Sequence, residues 1–131
     1  MVLRVIFLSV VLSCAASTGV AWQADPAPID FNRDIKPLLS DRCFSCHGPD
    51  EAARTTDVRF DDRKSALETE SGSGLAVIHA GEPDRSELIR RIESADPDER
   101  MPPPDAQTSL SASEIKLFRR WIAEGADRKG T

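Results

Sequence analysis

A chain of 131 residues with a formal net charge of −5 has room for one domain. The acidic balance argues against a nucleic-acid binder, whose affinity depends on basic patches facing phosphates. Aromatic residues make up 5% of the chain and tyrosine is absent, which leaves little material for a large core.

The N-terminus reads as a targeting segment. Arg4 supplies a short positive region, Val5–Leu12 is strongly apolar, and small residues run on to Ala21. This is the pattern of a secretory signal peptide over 1–21, with Gly19 and Ala21 at the positions a peptidase would read. The apolar run is too short for a membrane span. A leader carrying Arg4 and no acid leaves −6 on the remainder. Val11-Leu-Ser-Cys14 loosely resembles a lipoprotein box, so lipid anchoring at Cys14 is one alternative and an uncleaved anchor another. In each case the domain is expected outside the cytoplasm, in the periplasm or an equivalent space.

Residues 22–29, with Pro26 and Pro28, form a linker without periodicity. Asp30 then offers an N-cap, and Phe31, Ile35, Leu38 and Leu39 fall on one helical face. Pro37 implies a late start or a kink. The helix runs into Cys43-Phe-Ser-Cys-His47, and Gly48-Pro49 stops it. The stretch 51–74 is polar and irregular, with a short helix expected around 62–67. Its only large apolar residues are Val58, Phe60 and Leu67, so it is either a surface excursion or wraps something apolar supplied from elsewhere. Leu75–Ile78 is a short apolar run. Asp84 and Glu87 predict a capping box for a helix carrying Leu88, Ile89 and Ile92. Arg100-Met-Pro-Pro-Pro104 is a stiff loop. Ser111 and Glu114 predict a second capping box, Ile115, Phe118 and Ile122 line the last helix, and Gly125 ends it. The domain is expected over 30–126, with a short tail at 127–131. The architecture is all-α: short helices joined by long loops.

The chemistry concentrates at Cys43-x-x-Cys46-His47, the spacing of haem c attachment. Each cysteine adds to one haem vinyl group, and two intervening residues let the sulfurs span both vinyls from one turn. The adjacent His47 then offers a ring nitrogen to the iron. A chance match in a chain this long has odds on the order of one in a thousand. Three other readings stand beside it. A Cys43–Cys46 disulfide would suit an oxidising compartment. A thioredoxin-like pair would need a βαβ context, which is absent. Zinc would need four ligands from Cys43, Cys46, His47 and His79.

Met101 is the one methionine beyond the leader, and prolines stiffen its loop. Its thioether is a candidate second axial ligand of the haem iron, with His79 the rival. There is no serine nucleophile elbow and no paired-acid cleft, so an electron carrier is favoured over a catalyst.

Several segments together resemble the planctomycete-type cytochrome c domain. They are Phe31–Leu39, Cys43-Phe-Ser-Cys-His-Gly-Pro-Asp50, Val58–Asp61, Gly81–Asp84 with Ser86–Ile92, Asp96–Pro104, and Ile115–Gly125. The resemblance implies a cytochrome c-like helical fold around one covalent haem c, bound at Cys43 and Cys46, with His47 and Met101 as axial ligands. The leading functional reading is one-electron exchange with a redox partner protein, and no membrane span is expected in the mature domain. A haem-based ligand-binding module and a disulfide-bonded structural domain are the competing functions.

Overall fold

The computed structural model describes residues 27–129. The leader expected over 1–21 lies outside them, and the linker enters only from Ala27. The described residues contain five α-helices and no strand, as the all-α reading expects. These are α1 (Lys36–Arg42), α2 (Phe44–His47), α3 (Arg63–Glu68), α4 (Glu87–Ile92) and α5 (Ala112–Ala123).

Asp30 caps the first turn by accepting the Arg33 N–H at 2.9 Å. That turn, Phe31–Ile35, is π-helical, and α1 starts only afterwards, with Pro37 in its first turn. Proline lacks an N–H and is tolerated where no intrahelical donor is required, so Pro37 marks a late start. Phe31, Ile35 and Leu39 still share a face. They join Phe118, Trp121 and Ile122 of α5 and Leu88, Ile89 and Ile92 of α4 in one buried cluster. Burying each large apolar side chain contributes on the order of 1.5–3 kcal/mol. The Phe31 and Trp121 ring centroids lie 5.7 Å apart.

The capping box of α5 forms as its sequence predicts: Ser111 Oγ accepts the Glu114 N–H at 3.3 Å, and the Glu114 carboxylate accepts the Ser111 N–H at 2.7 Å. Gly125 follows with φ +103°, a conformation that favours glycine. The predicted box at Asp84 and Glu87 does not form. Asp84 lies in the 3₁₀ turn Pro83–Arg85 and accepts from Arg119 at 2.7 Å. The N-cap of α4 is Ser86, fully buried, whose hydroxyl is taken by the His79 N–H and the Glu82 carbonyl. Packing of this turn against the core overrides the local capping signal. Glu87 is buried instead, at 3% exposure.

The segment 51–74 contributes only Phe60 and Ala66 to the buried core, with Val58 and Leu67 packed partly against it. Past Gly125, Asp127 accepts the Trp121 indole N–H at 2.8 Å. Arg128 lies 5.0 Å over the Phe31 ring and donates to the carbonyl of Phe60 at 2.7 Å.

Candidate functional site

α1 breaks at Cys43, whose φ of −126° is non-helical, and one further turn follows as α2. The N–H groups of Cys46 and His47 both donate to the Cys43 carbonyl, at 3.2 and 2.8 Å. This single turn brings Cys43, Cys46 and His47 to one side, as i, i+3 and i+4 neighbours are. Gly48 closes it. A Cβ there would collide with the Phe44 carbonyl and come within 2.7 Å of the Phe44 Cβ, so the chain leaves the turn at a point only glycine fits.

The chain then returns beneath the turn. Thr55 N–H donates to the Cys46 carbonyl at 3.2 Å and Phe60 N–H to the His47 carbonyl at 2.9 Å, which satisfies carbonyls left open at the helix end. His47 Nδ1 lies 3.2 Å from the Val58 carbonyl oxygen. A carbonyl only accepts, so Nδ1 carries the proton and Nε2 keeps its lone pair. The Phe60 ring backs the imidazole at 5.2 Å between centroids. Burial holds His47 below the ordinary imidazole value, opposed by the Val58 hydrogen bond and aided by the Arg91 charge.

Both cysteines are free thiols. Burial pushes the Cys43 thiol up to about 12, with Arg42 opposing and Cys46 adding to the effect. At neutral pH this sulfur is uncharged, which disfavours thiolate chemistry. Among the described residues, no three His, Cys, Asp or Glu side chains group to hold a metal ion, so the four candidate zinc ligands are not assembled.

A cavity of about 630 Å³ opens beside this turn, within the range of cofactor sites. Cys43, Cys46 and His47 line it together with Val58 and Phe60. α4 contributes Leu88, Arg91 and Ile92, and the proline-stiffened loop contributes Met101, Pro102 and Pro103. His79 is not on the lining. It sits in the turn before α4, its N–H on Ser86 Oγ at 2.8 Å and its Nδ1 3.7 Å from a Glu82 carboxylate oxygen. The fold therefore gathers Cys43, Cys46, His47 and Met101 around one space and leaves His79 outside it. Two cysteine sulfurs, one imidazole lone pair, one thioether and largely apolar walls fit a haem c.

Sequence reasoning missed the Val58 carbonyl, the Phe60 ring, Arg91 and Glu87. Val58 and Phe60 stand in a segment already singled out by resemblance, but nothing local told that a backbone oxygen would meet His47. Glu87 carried a capping signal that masked its buried role.

Comparison with curated proteins and with solved structures finds no match. Residues 43–105, from the first cysteine of the turn to just beyond Met101, match the family model described as Planctomycete cytochrome C. Over these residues the chain is similar to planctomycete-type cytochrome c domains, a family of the haem c type.

Proposed function

We infer that this domain is an exported, monohaem electron carrier, anchored to haem c through Cys43 and Cys46, with His47 and Met101 as the iron ligands. The observation that carries this reading is the shared cavity: two free thiols, a neutral imidazole with Nε2 available and the one methionine beyond the leader all line it. When bound, haem c supplies a one-electron Fe(III)/Fe(II) couple. His47 is held in rotation by its Nδ1–H bond to Val58, and an imidazole fixed this way is the stronger ligand. Met101 offers a soft thioether, which raises the reduction potential relative to a second imidazole. Phe60, Leu88 and Ile92 give the cavity apolar walls.

The acidic balance of the chain suits a redox partner with a basic face. Export is supported by the N-terminal apolar segment and by the usual extracytoplasmic setting of cytochrome c domains. No helix among the described residues is long and apolar enough to cross a membrane.

Haem staining of the exported protein on a denaturing gel tests the reading, because only covalently held haem survives denaturation. A stained band that disappears in the Cys43→Ser/Cys46→Ser double variant is expected; stain retained by that variant overturns it. Spectra of the loaded protein separate the two haem functions. Six-coordinate low-spin iron in both redox states supports electron transfer, and a five-coordinate reduced state supports ligand binding instead.

A further inference from the structure

The carboxylate of Glu87 is nearly excluded from water at the start of α4. A buried carboxylate is costly unless its lone pairs are filled. Here both oxygens are filled twice. Oε1 accepts from Arg90 Nη2 and Arg91 Nε, both at 2.7 Å. Oε2 accepts from Arg90 Nε at 2.7 Å and Ser73 Oγ at 2.9 Å. Arg90, then Ser73 and Arg91, hold the carboxyl down at about 2.

The two guanidinium groups oriented in this way both reach the chain that carries Met101. Arg90 Nη1 donates to the Glu99 carboxylate at 2.7 Å, and Arg91 Nη1 donates to the Glu99 backbone carbonyl at 3.2 Å. The Arg91 carbonyl in turn accepts the Met101 N–H at 3.1 Å. Met101 has no regular secondary structure around it. A loop of that kind opens locally at little cost unless it is tied to a stable element. Here the ties run to α4, whose Leu88, Ile89 and Ile92 are buried in the core.

We propose that Glu87 and Arg91 are positioning residues for Met101: Glu87 fixes the Arg91 guanidinium, and Arg91 pins the chain on both sides of Arg100, so the pair sets how often Met101 swings away from the iron. This rests on the reading of Met101 as the distal ligand. Lysine cannot take over the role of Arg91, because one ammonium group cannot replace a planar fork that meets Glu87 and the Glu99 carbonyl together.

The experiment titrates imidazole onto the oxidised, haem-loaded full chain and follows the sulfur-to-iron charge-transfer band and thermal unfolding in parallel. Arg91→Lys and Glu87→Gln are compared with Met101→Ala and with Arg119→Gln, which breaks ion pairs to Asp84 and Glu93 away from the cavity. Loss of one charge-assisted hydrogen bond should raise the apparent affinity for imidazole about tenfold in Arg91→Lys, in the same direction in Glu87→Gln, and not in Arg119→Gln. The charge-transfer band should persist in both clamp variants without added imidazole. If Met101→Ala frees the iron but the clamp variants change imidazole affinity less than about twofold, whatever their unfolding temperature, the clamp is wrong and the ligand reading stands. If Met101→Ala itself changes nothing, the ligand reading fails and the clamp falls with it.

Discussion

His47 Nδ1 stands 3.2 Å from the carbonyl oxygen of Val58, a residue eleven positions further along the chain. This contact ties the attachment turn to the returning segment and leaves Nε2 as the free nitrogen. Phe60, buried to 5% exposure, packs against the same imidazole and donates its N–H to the His47 carbonyl.

Phe60→Ala should therefore do two things. Loss of the ring should cost about 3 kcal/mol of stability, the usual range for a buried aromatic truncated to alanine. It should also free the His47 ring to rotate, read as broadened or shifted paramagnetic resonances of the axial histidine. Unchanged resonances in a destabilised variant would show that the ring only fills space.

Met101→Ala should abolish the sulfur-to-iron band of the oxidised protein and open the iron to added ligands. His79→Ala should leave both unchanged, because His79 lies off the cavity lining and is engaged with Ser86 and Glu82. The opposite pattern would make this a bis-histidine haem with a lower potential.

Gly48→Ala should damage the attachment turn directly. The new Cβ would strike the Phe44 backbone and side chain, so the turn that holds His47 must shift. Overpacking of this kind costs about 1–3 kcal/mol. The expected result is a lower ratio of haem stain to protein mass together with a lower unfolding temperature. Wild-type loading in the variant would refute the assignment of Gly48 to close packing.

Acid stability should depend on Glu87. Its carboxyl is held at about 2 in the folded protein against an ordinary value of 4.5, by Arg90 above all. A depressed carboxylate stabilises the fold fully above the unfolded value and loses that contribution as pH falls from about 4.5 toward about 2. The loss should not exceed about 3 kcal/mol, since Arg90 and Arg91 are partly solvated and water screens the pairing. Denaturant unfolding measured between pH 2 and 7 should show this slope in the wild type and a flatter one in Glu87→Gln.

The parts of this protein legible in its sequence are those with local causes. Cys43, Cys46 and His47 meet because one helical turn places i, i+3 and i+4 together, whatever surrounds them. Ser111, Glu114 and Gly125 bound α5 for the same reason: a side chain and a backbone group three or four residues apart satisfy each other. The all-α class follows from apolar spacing such as Phe31, Ile35 and Leu39. Asp84 and Glu87 carry an equally good local signal, yet the tertiary structure assigns Ser86 to the cap, Asp84 to Arg119 and the buried Glu87 carboxylate to Arg90 and Arg91. Likewise, only the fold decides that Met101 rather than His79 lines the cavity, and that a Val58 carbonyl meets His47. Those outcomes rest on which groups packing shields from water and on contacts between distant segments, and neither is written in the spacing of neighbouring residues.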